Sequence, residues 1–210
     1  TGRLTLTRKK PIISEGYKTV TLTGMPKRVS AGQRREIDDD DGEVLVETFY
    51  FYDNKTWMMV YGDEKTYCSG QAGTYEGNAT SGNVTCTAYW DSSKTDQINV
   101  TISGNTLIWS DDTFQKLPDT KTVVTAWQRT DGSGKHMVYF YSYGTYMRVC
   151  VSGDKTSVDL AGEYTGDTTK NTTIQATDWQ WYQNKPSFTI DGNVLTIHND
   201  KETAYQFTKI

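Results

Sequence analysis

The feature that most limits what this chain can fold into is an internal repeat. Phe51-Tyr52 matches Phe140-Tyr141, Thr56-Trp57-Met58 matches Thr145-Tyr146-Met147, and Val60 matches Val149, each at a spacing of 89 positions. The same spacing relates Ala72-Gly73-Thr74-Tyr75-Glu76-Gly77 to Ala161-Gly162-Glu163-Tyr164-Thr165-Gly166, and Trp90 to Trp179. Further on, Ile102-Ser103-Gly104-Asn105-Thr106-Leu107 matches Ile190-Asp191-Gly192-Asn193-Val194-Leu195 at 88, and Thr113-Phe114-Gln115-Lys116 is similar to Gln206-Phe207-Thr208-Lys209. Coincidence does not hold register across four separate blocks, so the chain carries two diverged copies of one unit.

Each unit reads as all-β. The 210 residues include 14 Tyr, 6 Trp and 18 Gly but only 4 Pro, and strand-forming residues dominate over helix formers, so almost no helix is expected. Turn residues recur at about ten-residue intervals, the pattern of an antiparallel meander. In the second copy the strands fall near 121–129, 136–142, 145–151, 156–166, 172–179, 187–191, 193–198 and 203–209. Gly104-Asn105 and Gly192-Asn193 tie neighbouring strands into tight hairpins. Eight strands can close a small barrel and so remove exposed edges. The expected architecture is two tandem antiparallel meander units, each a small barrel of about eight strands. Residues 1–17 form an N-terminal strand or linker, 18–118 the first unit and 119–210 the second. Lys18-Thr19-Val20-Thr21 stands for the first strand of the first unit, by its likeness to Lys121-Thr122-Val123-Val124. The stretch 26–43 then reads as a charged insertion, basic over Lys27–Arg35 and acidic over Glu36–Asp41, which should be exposed.

The closing pattern Ile-x-Gly-Asn-x-Leu, a short turn and Thr-Phe-x-Lys, preceded by Gly-x-Tyr-x-Gly, resembles the small lipocalin-like β-barrel repeats of bacterial secreted and surface proteins. The resemblance covers the second copy and most of the first. It implies lipocalin-like barrels and a secreted or cell-surface location. Trp127 stands where such units carry a leading Trp, and the first copy has none there.

Little in the chain speaks for chemistry. A formal net charge of −4 and a pI near 5.2 provide no basic field, which argues against nucleic acid as a partner. No apolar run is long enough for a transmembrane segment. The 3 cysteines cannot all pair within one chain. A hairpin closing around Asn78–Gly82 would set Cys68 near position 92, too far from Cys86 for a bridge. Asn-x-Thr sequons at Asn54, Asn78, Asn83, Asn99 and Asn171 read as chance matches in a Thr-rich chain. His136 and His198 do not recur between the copies, and Gly132-Ser133-Gly134 looks like a turn and not a nucleophile elbow. Asp38–Asp41 with Gly42 fails the EF-hand spacing, since Ile37 and Thr48 would fall at the carboxylate positions. No catalytic residue, metal site or cofactor is therefore assigned, and the chain is not read as an enzyme.

The aromatic residues carry the functional expectation. With Asp53-Asn54 as a two-residue turn, Tyr50 lies opposite Trp57, while Phe49 and Phe51 lie opposite Met58 and Thr56. One face then holds core residues: Phe49, Phe51, Met58 and Val60, with Val138, Phe140, Met147 and Val149 in the second copy. The other holds Tyr50, Tyr52, Trp57 and Tyr61, repeated as Tyr139, Tyr141 and Tyr146. Rings with polar tips suit a partly wet surface. Tyr50, Tyr52, Trp57, Tyr139, Tyr141 and Tyr146 are thus ligand-binding candidates, joined by Trp181 and Tyr182, which have no counterpart in the first copy. The same rings could instead form a ladder that only stabilises the hairpin or packs the copies together. Three functions remain open: an exported, non-catalytic module for a small apolar or amphipathic ligand or a surface partner; a carbohydrate-binding module; and a structural spacer in a longer repeat array.

Overall fold

A computed structural model describes residues 25–37, 42–62, 67–91, 93–118, 123–180, 185–199 and 202–210. The expected strands form, and each run of eight closes on itself. The first barrel consists of β1 (Arg28–Ile37), β2 (Val44–Tyr52), β3 (Thr56–Gly62), β4 (Tyr67–Gly77), β5 (Gly82–Ala88), β6 (Gln97–Ser103), β7 (Thr106–Trp109) and β8 (Asp112–Lys116). The second consists of β9 (Val123–Asp131), β10 (Gly134–Tyr141), β11 (Thr145–Ser152), β12 (Lys155–Thr165), β13 (Thr172–Ala176), β14 (Ser187–Asp191), β15 (Val194–Asn199) and β16 (Glu202–Lys209). Within each barrel every strand pairs antiparallel with its neighbours in sequence, and β8 and β16 return to β1 and β9 at Gly32↔Lys116 and Trp127↔Lys209. The chain is all-β, two consecutive eight-stranded antiparallel meander barrels.

The stretch expected to be an exposed charged insertion is instead, over most of its length, the first strand of the first barrel. Val29-Ser30-Ala31-Gly32-Gln33-Arg34 corresponds to Val124-Thr125-Ala126-Trp127-Gln128-Arg129, because Ala31 pairs with Tyr50 as Ala126 pairs with Tyr139. That spacing is 95, not 89, since eighteen residues separate Ala31 from Tyr50 whereas twelve separate Ala126 from Tyr139. A longer hairpin hid the match. Lys18–Thr21, expected in this role, lies outside the described residues, as do Asp38–Asp41.

The repeat extends to single hydrogen bonds. Tyr75 donates its hydroxyl to the Tyr52 carbonyl at 2.8 Å, and Tyr164 donates to the Tyr141 carbonyl at 3.0 Å. Trp90 and Trp179 were expected to superpose and do not. The amide of Tyr89 donates to the Ala72 carbonyl, and the amide of Trp179 to the Ala161 carbonyl, so Trp179 takes the place of Tyr89. The hairpin pairing Tyr164 with Ala176 is one residue longer than that pairing Tyr75 with Cys86.

Two glycines permit the close approach of β4 to β5 and of β12 to the segment after β13. A Cβ on Gly73 would lie 1.9 Å from the Thr87 carbonyl oxygen, and one on Gly162 would lie 1.8 Å from that of Thr177. Those same carbonyls accept from the Trp57 indole at 3.2 Å and the Tyr146 hydroxyl at 2.9 Å. Gly73→Ala should therefore push strands apart and cost about 1–3 kcal/mol in urea denaturation, the range for overpacking a tight site. An unchanged midpoint would mean the close approach is not required.

Candidate functional site

The loop between β2 and β3 decides where each aromatic ring goes. It has three residues, Asp53-Asn54-Lys55, not the two expected: the Lys55 amide donates to the Tyr52 carbonyl at 3.1 Å, and Lys55 itself sits at φ 65°. Ser142-Tyr143-Gly144 repeats the geometry, with Gly144 donating to the Tyr141 carbonyl at 3.1 Å and φ 78°. A three-residue loop ending in a left-handed residue is a standard hairpin closure. It shifts the expected pairing by one residue, so Phe51 faces Trp57 and Tyr50 faces Met58. In a strand such a slip sends side chains to the opposite face.

The corrected faces are both buried. Phe49, Phe51, Trp57 and Met59 point into the first barrel, where they pack with Val84, Cys86, Val100, Leu107 and Phe114. Phe49 meets Phe114 edge-on at 5.2 Å and lies 6.1 Å from Trp57. Val138, Phe140 and Tyr146 fill the second barrel with Trp127, Leu160, Phe188 and Phe207. Phe140 and Tyr146 each meet the Phe188 ring, at 5.1 and 4.9 Å. The opposite face forms one apolar seam between the barrels. It gathers Tyr50, Tyr52, Met58, Val60 and Ala72 from the first and Tyr139, Tyr141, Met147, Val149 and Ala161 from the second.

The expectation that Tyr50, Trp57, Tyr139 and Tyr146 are partly exposed or line a cleft is thus overturned: each is at most 4% exposed. Tyr50, Tyr52, Tyr139 and Tyr141 lie in the seam, whereas Trp57 and Tyr146 lie inside separate barrels. Trp181 and Tyr182 fall outside the described residues. Sequence reasoning missed Tyr143, Tyr89, Asp178 and Trp179 as seam residues. Tyr143 stacks on Tyr50 at 4.3 Å, 5° from parallel, and its hydroxyl bonds that of Tyr52. Tyr52 also meets Tyr141 at 5.1 Å. Also in the seam, Tyr89 donates to the buried carboxylate of Asp178 at 2.7 Å and accepts from the Gln180 amide at 2.9 Å.

Other suspected sites resolve into turns and ladders. Asn54 is buried and its Oδ1 accepts from the Thr56 amide and hydroxyl; Asn78 does the same for Thr80. Asp167 fills the corresponding role for Thr169, so the motif at 78 is a turn that keeps its hydrogen bonds when Asn becomes Asp. Asn83 accepts from Thr101 and Asn99 from Thr85, each at 3.0 Å across β5 and β6, with Val84 and Val100 buried between them. Two sequons are therefore the outward half of one strand pair. Cys86 is a free thiol inside the first barrel, and burial drives its pKa far up.

His136 has Ser133 Oγ at 2.9 Å and Asp131 Oδ1 at 3.3 Å, but both contacts fall on Nε2. A relay needs nucleophile and carboxylate on opposite ring nitrogens. Here the Ser133 hydroxyl donates to Asp131 directly at 2.6 Å, within the β9–β10 turn. That bond, with the Ser133 amide, holds the Asp131 carboxyl far below the usual range. Among the described residues no group of three or more His, Cys, Asp and Glu is placed to hold a metal ion. Comparison with protein-family models, with curated proteins and with solved structures finds no match for this chain.

Two predictions separate a structural face from a binding face. Trp57→Ala should cost about 3–5 kcal/mol in urea denaturation, as expected when a fully buried aromatic leaves a cavity; a variant of unchanged stability would contradict its place in the core. Burial also raises the tyrosine pKa values, to about 12 for Tyr75 and well above the ordinary value for Tyr52, Tyr141, Tyr143 and Tyr146. Unfolded tyrosines ionise near pH 10. Stability from these neutral phenols is then present in full below pH 10 and is lost as pH rises through 12. Denaturation midpoints followed from pH 8 to 12 should fall only above 10, as the phenolate absorbance rises.

Proposed function

We propose that the chain is a non-catalytic, rigid two-barrel unit that acts as a structural spacer, holding two polar outer walls in fixed relation within a longer exported repeat protein. The observation that carries this reading is the burial of the repeated tyrosine face in the seam between the barrels. A face repeated for ligand binding has to stay accessible, whereas one repeated for packing has to be covered. The resemblance to lipocalin-like repeats of bacterial secreted and surface proteins supports export. It favours an enclosed ligand less, because large side chains such as Trp57, Phe114, Trp127 and Phe188 occupy the interiors. Sugar stacking on Tyr50, Tyr52, Tyr139 or Tyr141 would require the seam to open.

A spacer should bind neither a hydrophobic probe nor sugars, and should unfold as one body. Titration of the chain with an anilinonaphthalene sulfonate dye and with a panel of oligosaccharides should give no saturable signal. Calorimetry should give a single transition. Stoichiometric binding of either class would overturn the spacer reading, and two separated transitions would show that the seam does not couple the barrels.

A further inference from the structure

The seam uses the same patch of both barrels. Tyr50 and Tyr139, Tyr52 and Tyr141, Met58 and Met147, Val60 and Val149, and Ala72 and Ala161 are equivalent by position, and both members of every pair lie in the one cluster. Strand β4 packs on its own equivalent, β12. This is the arrangement of a two-fold interface, in which one surface is complementary to itself. An interface of that kind would let any two such barrels pair.

Two departures from symmetry prevent it. A Cβ on Gly70 would lie 2.7 Å from the Trp179 ring, so Trp179 of the second barrel seats on the bare backbone of the first. Gly70 pairs with Val60, and the residue that pairs with Val149 in the second barrel is Val158. Two second-type barrels would therefore drive Trp179 into a valine. The second departure is Asp178, which accepts the Tyr89 hydroxyl. In the first barrel that position is Ala88, since Thr87 and Thr177 hold equivalent places one residue before. Two first-type barrels would leave the partly buried Tyr89 hydroxyl without its carboxylate acceptor, which costs stability.

We propose that the seam is a directional docking surface on which the second barrel recognises a first-type barrel, and that the first barrel of another copy of this chain satisfies it as well as its own. The partner is then a second copy of the chain, held by exchange of barrels through two identical seams. Intrachain docking prevails in dilute solution because the connection between Pro118 and Val123 keeps the local concentration of the partner barrel high. Exchange dominates when that connection is too short to close.

The test deletes residues 119–122 from the otherwise complete chain and follows mass by light scattering. The expected product is a dimer with strand content and tryptophan environment unchanged. Trp179→Ala in the deleted chain should weaken dimerisation at least about tenfold, as for a buried aromatic anchor. Gly70→Val should do the same while circular dichroism reports both barrels folded. A deleted chain that is folded and monomeric overturns the proposal. So does a dimer that Trp179→Ala leaves unchanged or strengthens, since relief of the clash with Val158 would strengthen pairing of like barrels. If the deletion does not fold, the intact chain refolded from denaturant at increasing concentration replaces it. A dimer fraction that rises with concentration and falls in Trp179→Ala is expected, and monomer at every concentration overturns the proposal.

Discussion

Two three-residue loops, Asp53–Lys55 and Ser142–Gly144, determine what every aromatic side chain in the adjoining strands does. Because each loop ends in a residue with positive φ, the hairpin closes one position later than a two-residue turn would allow. Phe49, Phe51 and Trp57 therefore share the first interior, and Tyr50, Tyr52 and Met58 share the outer face. The loop is braced from the neighbouring strand. Tyr75 donates its hydroxyl to the Tyr52 carbonyl and its amide to the Lys55 carbonyl, and Tyr164 repeats both bonds to Tyr141 and Gly144. Lys55, an unusual residue for this conformation, also places its ammonium group over the Tyr75 ring and against the Gly77 carbonyl.

With the register set, each barrel has an outer face too apolar to leave in water, and the two faces cover each other. Tyrosine suits this place for a physical reason. Its ring contributes apolar area, while its hydroxyl needs a partner that a symmetric apolar seam does not supply. Tyr52 finds Tyr143, Tyr139 turns to the Met137 sulfur, and Tyr89 reaches Asp178. Burial of these groups makes the neutral phenol much the better form.

The ends of the interiors away from the three-residue loops are closed by charge. Arg34 lies at 5.9 Å over Phe114 and pairs with Glu47 at 2.8 Å and Asp112 at 2.7 Å. Arg129, its counterpart, lies at 4.2 Å over Tyr205 and pairs with Asp131. The Arg-for-Arg match persists although the partners differ, because a guanidinium can lay its flat face on a ring and still direct its edge to carboxylates near solvent. Gly32 and Trp127 differ more. In the first barrel Phe114 and Leu107 stand within 3.1 Å of where a Gly32 Cβ would be, and in the second an indole fills the equivalent place.

The sequence by itself determined the strands, their meander order and the duplication, because these rest on local signals: alternation, turn residues and a spacing of 89 held over separate blocks. It also contained the first strand of the first barrel, concealed by a hairpin longer than its counterpart. Harder to read was which face each aromatic residue occupies, since a difference of one loop residue reverses the assignment and Asp53-Asn54-Lys55 has no glycine at its left-handed third position; the signal stands only in the second copy, where Gly144 matches Lys55. The sequence could not show that the tyrosine face is covered. A row of tyrosines has the same alternation whether it meets solvent or another barrel, and only the tertiary structure, by setting one repeated patch against its own equivalent, decided between them.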